Sequence, residues 1–473
     1  MNPADTPAPA RRASVGLPMA VVAAAVAAMS LYANVPLILS RPIDRHYFPP
    51  FDGTNQNDVG HLGAEYDRIA AALVDGRGFA DPFPARTGPT AWMPPLFSWI
   101  LAALRWDAGG DLTFIKTAVV VLQDLTLVAT GWLVIGVARQ TGGSVRLATL
   151  LFLGGLVFYF RQCFQFTHDW WVVLAALDVL LAGLVWWRPL QGSLRSAAGW
   201  GVVGGLLALA SPAVGFVWAW LAGIEGRRPG RRLALAAAVA AAGLTVSPWV
   251  VRNYLVFGRF IPIKSNLAFE LYQSQCVQQG GVLHDPIFAF HPYVGHNAAL
   301  TEYARLGETA FMDRKWQQFA QAVRANPTDF LERVWNRFVE ATLVYVPFNA
   351  SDEIRRPWRT WWARLVYPLP FVCLVGLLLT ARWVAPGRIQ AVAVGTYLAY
   401  LMPYVLVSYY ERYKVPLVGV EVLLLTWGAQ RFLALGTAPT EAGAVGGHPP
   451  RRVAALRGAD PGLVGRGTGR AGP

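Results

Sequence analysis

Apolar runs of about 20 residues recur along this chain, and no other feature narrows its fold so far. Wound into an α-helix, such a run crosses roughly 30 Å of hydrocarbon. Lipid offers backbone amides no water, so each run must satisfy its own, and helices follow. Composition agrees: 54% of the 473 residues are hydrophobic, 15% are charged, and mean hydropathy is +0.36. The fold class predicted is all-α, a multi-pass transmembrane bundle of about ten spans with outer-face juxtamembrane helices and a soluble outer loop region.

The net charge of +13 would admit nucleic acid as a partner, but the arginines sit mainly in short loops and tails between apolar runs. That is the pattern of cytoplasmic loops and excludes a nucleic-acid role. Arg11 and Arg12 precede the first span, 15–39, which is too long for a cleaved signal and reads as a retained anchor. The span 113–138 returns to Arg139 and Arg146, and the span that begins near Asp169 returns to Arg188 and Arg195.

Residues 199–223, read as one span, would put Arg227, Arg228, Arg231 and Arg232 outside. Ser211-Pro212 lies at the middle, where proline removes a donor and disfavours helix for its predecessor. Two short helices turning there return the arginines to the cytoplasm; a single kinked helix is the alternative. A span at 233–250 then leaves, and 251–360 lies outside with helical stretches at 308–324 and 327–340. Spans at 361–379, 389–408 and 415–432 follow, with Arg382 and Arg388 in an inner loop.

The domains expected are a disordered cytoplasmic terminus 1–14, a membrane module 15–250 with a catalytic first outer loop 41–111, the outer region 251–360, membrane helices 361–436 and a disordered tail 437–473. No inverted repeat of the transporter kind is visible. Cys163, Cys276 and Cys373 are odd in number and lack metal-type spacing; Cys373 reads as a small core residue, and spacing does not fix whether Cys163 and Cys276 pair.

Polar chemistry gathers in the outer segments. The first loop holds Asp58, His61, Glu65 and Tyr66, and then Trp92. Asp58, His61 and Glu65 suit either a solvated loop with capping carboxylates or a divalent metal site; no cofactor is required, and a metal stays open. His168 and Asp169 stand at the mouth of a span, where Asp169 also suits a helix cap. Arg252, Lys264, Arg412 and Lys414 fall on the outer side against the usual bias, and cations held there need an anion such as lipid phosphate. Asp124, Asp178 and Lys116 lie in or near spans, where ionisable groups are costly.

Four strings carry a family likeness: EYDRIAAALVDGRGFADPF from Glu65, GPTAWMPPLFSWILAAL from Gly88, PWVVRNYLVFGRFIPIKSNLAFELY from Pro248 and ERYKVPL from Glu411. Together they resemble the bacterial branch of the polyprenyl-phosphate-dependent membrane glycosyltransferases of the GT-C superfamily, family 39-like. Its relatives include O-mannosyl-, aminoarabinose and galacturonosyltransferases. The resemblance implies an acidic residue in the first outer loop and often a second in the next, positions that Glu65 and Asp169 occupy. Many relatives carry an acidic pair or Gly-Asp in the first loop; here Ala64-Glu65 stands there with Asp58 upstream, so Glu65 and Asp58 both remain candidates for the base.

The function expected is transfer of a sugar from a polyprenyl-phosphate donor to a hydroxyl of a lipid, glycan or protein acceptor, at the outer face of the inner membrane. Glu65, Asp58 and Asp169 are the catalytic candidates; Arg252, Lys264, Arg412 and Lys414 would bind donor phosphate; Tyr66, His61, Trp92, His168 and Tyr413 would contact substrate. A lipid-linked-sugar flippase and a non-catalytic lipid-phosphate-binding relative are the alternatives.

Overall fold

A computed structural model of the chain describes residues 15–39, 62–165, 168–293 and 297–436. Asp58 and His61 lie outside the described residues. The chain to Phe432 forms one compact unit; a second unit, Leu433–Pro473, holds among the described residues only the last turn of the final helix.

Helix α1 (Gly16–Leu39) is apolar but for a few residues, among them Ser30 and Asn34, which hydrogen-bond to each other one turn apart. Helix α2 (Ala64–Val74) follows Gly63, whose φ of 80° suits glycine, and sets Glu65 and Asp67 in its first turn, where the exposed amides favour carboxylates. Helix α3 (Pro95–Asp107) opens on a proline, which needs no partner there. Helix α4 (Leu112–Gln140) is capped by Asp111, which accepts from Thr113 N at 2.8 Å, and α5 (Val145–Phe158) by Ser144, which accepts from Leu147 N at 3.2 Å. Helices α6 (Phe160–Gln165) and α7 (Trp170–Ala182) follow, and α7 runs on through a π-helical turn, Gly183–Trp187.

The 199–223 segment is a helical hairpin. Helix α8 (Leu194–Ala210) stops where Ser211 turns extended, and α9 (Pro212–Gly226) begins on the proline. The two run back along each other: Gly204 lies against Trp218, and Gly215 against Ala208. Helix α10 (Arg232–Phe257) then packs along α8, with Gly201 and Gly205 against Ala238, Ala241 and Thr245. Apolar burial cannot join helices surrounded by lipid, so close backbone approach at small residues four apart supplies the contact.

The region after α10 is built of short helices: α11 (Leu267–Tyr272), α12 (Ala298–Leu306), α13 (Glu308–Ala325), α14 (Pro327–Thr342) and α15 (Ala350–Arg355). Helices α16 (Pro357–Val366), α17 (Leu369–Leu379), α18 (Arg388–Leu406) and α19 (Val418–Gly436) return to apolar sequence. Among the described residues the fold is all-helical apart from one isolated bridge, Ala80 to Pro89.

Among the described residues, six segments are long and apolar enough to cross a membrane: Gly16–Asn34, Leu112–Gln140, Trp170–Gln191, Arg232–Phe257, Pro357–Arg382 and Arg388–Leu406. The about ten spans expected exceed these six because α5, α8 and α9 have only 14, 17 and 15 residues, about 21, 26 and 23 Å at 1.5 Å per residue, and α19 is not among the six. The three cysteines are free; Cys163 and Cys373 are buried and Cys276 is exposed.

One end of the bundle is tied by Glu225 at the end of α9. Buried, it pairs with Arg231 and with Arg388 at 3.2 Å, while Arg388 also donates to Leu184 O at 2.8 Å. The ends of α7 and α9 and the start of α18 therefore meet among the arginine-rich loops.

A side chain at Gly201 would collide with the Ala238 carbonyl, whereas nothing lies near Gly154. Gly201→Val is expected to destabilise the detergent-solubilised protein by about 1–3 kcal/mol, the usual cost of overpacking. Gly154→Ala is the control; thermal unfolding of both variants reads the difference.

Candidate active site

At the opposite ends of α9 and α18 lies a cavity of about 370 Å³. Its wall takes Glu65 and Tyr66 from the start of α2, Trp92 from the following loop, and His168 and Asp169 before α7. It also takes Ser211 and Pro212 from the hairpin tip, Lys264 and Glu270 around α11, His291, and Tyr410, Arg412 and Tyr413 from the turn after α18. Eight residues singled out from the sequence thus share one wall: Glu65, Tyr66, Trp92, His168, Asp169, Lys264, Arg412 and Tyr413.

Two hydrogen bonds knit the acidic and basic sides. Tyr66 Oη donates to Asp169 Oδ2 at 3.0 Å, and Arg412 Nη1 lies 2.7 Å from His168 Nδ1. A guanidinium only donates, so Nδ1 accepts and the neutral ring carries its proton on Nε2. Arg412 is framed by tyrosines: its guanidinium carbon lies 5.1 Å from the Tyr410 ring centroid, and Tyr413 stacks on Tyr404 at 4.4 Å.

Glu65 is the perturbed carboxyl. Burial pushes its pKa up to about 7, against the lowering effects of a backbone hydrogen bond and Arg412, with Asp169 and Glu270 adding to the rise. His291 Nε2 stands 3.7 Å from Glu65 Oε1, but burial pushes this imidazole down to about 3, so the contact is not an ion pair near neutral pH. A carboxyl poised near 7 takes and gives a proton at little cost.

The other two cations are placed elsewhere, for a physical reason. Arg252 donates to Thr90 O and Phe79 O, each at 2.7 Å, and to Asn253 Oδ1 at 2.9 Å, so two of its bonds fasten the loop that carries Trp92 and a third stays on α10. Lys414 is buried, 3.3 Å from Glu421 and donating to Tyr367 O at 3.1 Å. Neither lines the cavity. Their loops were recognisable as basic; which backbone carbonyls would take their donors was not.

Sequence reasoning passed over the groups that build the scaffold. Buried Glu308 accepts from the Thr90 hydroxyl and from Ala91 N at 2.8 Å, and Ser265 N donates to Ala91 O at 2.8 Å. Asp81 closes the same loop by accepting from Thr87 N and Gly88 N, both at 2.8 Å. Fully buried Arg337 on α14 donates to Val405 O at 2.7 Å and Leu406 O at 3.2 Å, closing the end of α18 just before the Arg412 turn. Glu270 and His291 were also missed, because the outer region shows no motif and only its folding brings them in. Among the described residues no group of three or more histidines, cysteines or carboxylates is placed to hold a metal.

No protein-family model matches this sequence, and no curated protein sequence does. Two solved structures are similar, both of ArnT from Cupriavidus metallidurans. The one bound to undecaprenyl phosphate has a TM-score of 0.39 and the apo one 0.35; each is 15% identical, over 87% of this chain and 78% of theirs. At these scores the likeness carries no weight for function.

Removing the Arg252 guanidinium strands two carbonyls. Arg252→Ala is expected to destabilise the fold by about 1–3 kcal/mol. Thermal unfolding of the detergent-solubilised variant against the parent reads this scaffold role.

Proposed function

We propose that the chain is a membrane glycosyltransferase that moves one sugar from a polyprenyl-phosphate carrier to a hydroxyl of a lipid, glycan or protein acceptor. The observation that carries this reading is the meeting of Glu65, Asp169 and Arg412 in one cavity. A buried carboxyl with a pKa near 7 beside an arginine and a lysine is the pairing that transfer from a lipid phosphate needs: a base for the acceptor and fixed cations for the leaving group.

In this mechanism ionised Glu65 takes the proton of the acceptor hydroxyl as its oxygen bonds to the anomeric carbon. The bond from that carbon to the phosphate oxygen breaks with its electron pair going to the phosphate. Arg412 and Lys264 stabilise that charge, so no general acid is needed. Asp169, bonded to Tyr66, holds the wall beside Glu65. A single displacement inverts the anomeric carbon.

The reading places the cavity on the extracytoplasmic side of the inner membrane. Support comes from α9 and α18, whose opposite ends meet the Glu225 cluster among the arginine-rich loops, the side such loops favour.

Glu65→Gln is expected to cut transfer by about 10²–10⁴-fold, the usual worth of a general base, with membrane insertion intact. The base form appears as pH rises through about 7, so kcat/KM should climb through that pH in the parent and lose the limb in the variant. Arg412→Ala should chiefly raise KM for the lipid-phosphate donor. Labelled sugar crossing leaflets with no new glycosidic bond would overturn the reading in favour of a flippase.

A further inference from the structure

One part of the cavity wall has no task in the transfer step. Asn266, Glu270 and Gln273 all line it and are spaced four and three residues apart, the interval that brings side chains to one helix face. They run along α11 into a π-helical turn, Gln273–Val277, a local widening often found at functional sites.

Glu270 is held from two sides: Ser408 Oγ donates to Oε2 at 2.8 Å, and Asn266 Nδ2 to Oε1 at 3.2 Å. Both oxygens accept, as a carboxylate's do. Its neighbours are unsatisfied. Asn266 is 1% exposed and Gln273 2%, yet Asn266 Oδ1 and Gln273 Nε2 have no hydrogen-bond partner among the described residues. Buried polar atoms without a partner are costly; Asn266 Oδ1 and Gln273 Nε2 are nearly closed off in the structure as it stands, so a ligand in the cavity completes this row of an acceptor, a carboxylate and a donor once the two side chains turn toward it.

The chemistry of the missing partner follows. It must donate to Asn266 Oδ1 and to spare lone pairs of Glu270 while accepting from Gln273 Nε2. Vicinal hydroxyls do this, since each both donates and accepts. A carboxylate set against the row would only accept and would place a second negative charge beside Glu270, which a sugar without one avoids. The row is also close to the chemistry, because the charge of Glu270 bears on both Glu65 and Tyr413.

We propose that Asn266, Glu270 and Gln273 form the subsite for the hydroxyl face of the transferred sugar, and that this sugar carries no carboxylate. The assignment rests on the glycosyl-transfer reading of the cavity. Glu270 is then the residue that selects a neutral sugar over a uronic acid.

The test uses the full-length protein in proteoliposomes, with undecaprenyl phosphate carrying either a neutral hexose or the matching uronic acid. The parent is expected to show a kcat/KM at least about tenfold higher for the hexose donor. Gln273→Met and Glu270→Gln should each lose about tenfold or more on that donor, the scale of one buried hydrogen bond, charged in the case of Glu270. Glu270→Gln should also narrow the hexose-to-uronate ratio. Binding of sugar-free undecaprenyl phosphate should stay within about twofold in both variants, which a merely misfolded protein would not give.

Equal use of both donors by the parent, full hexose activity in both variants, or a change confined to acceptor KM would each overturn the subsite. A parent that transfers neither sugar and binds no undecaprenyl phosphate overturns the glycosyl-transfer reading itself and the subsite with it.

Discussion

Everything in the cavity depends on keeping charge out of water without leaving it unpaired. A carboxylate taken from water into protein is unstable unless it finds a counter-charge, accepts hydrogen bonds or takes up a proton. Glu65 illustrates the third course, with burial lifting it to about 7. Asp169 takes the second through Tyr66, and Arg412 is answered by the neutral nitrogen of His168 and the faces of tyrosines. Because these answers come from segments far apart in sequence, the charges are stable only when α2, the start of α7 and the turn after α18 are all in place.

That demand explains the effort spent behind the wall. The loop between α2 and α3 has little regular structure, yet it is fastened by Arg252, Glu308 and Asp81, each satisfying backbone groups that would otherwise be buried bare. Arg337 does the same for the end of α18, while Glu225 ties the far ends of α9 and α18 through the side chains of Arg231 and Arg388. Around the cavity, the charged side chains described above fall into two sets: those consumed by backbone or by each other, and those whose bonding capacity still faces the cavity. Arg252 and Arg412 are the same residue type on opposite sides of that division.

The division marks how far the sequence could be read. Helix positions were legible, because apolar runs and prolines act locally: α4, α10, α13 and α14 fall close to where periodicity put them, and Ser211-Pro212 turns as its backbone chemistry requires. The acidic and basic candidates that meet in the cavity were legible as residue types in the polar segments between apolar runs. What a single chain of letters does not display is which carbonyl an arginine will reach. Arg252 and Lys414 carried the same outer-side signature as Lys264 and Arg412, and only the packed fold separates them.

Glu270 and its neighbours were hidden for a further reason. Asn266, Glu270 and Gln273 sit in the IPIKSNLAFELYQ stretch, where apolar residues dominate and the polar ones look like ordinary helix surface. Their significance comes from Ser408, far along the chain, which fixes Glu270 while leaving Asn266 Oδ1 and Gln273 Nε2 unanswered. A wall meant only to stabilise the fold would have paired those atoms or replaced them with methyl groups, since apolar residues of similar size can serve a purely structural wall as well. The indole nitrogens of Trp200 and Trp218, away from the cavity, also find no partner among the described residues, so it is the place of Asn266 and Gln273 on the cavity wall, and not the missing bonds alone, that points to a ligand.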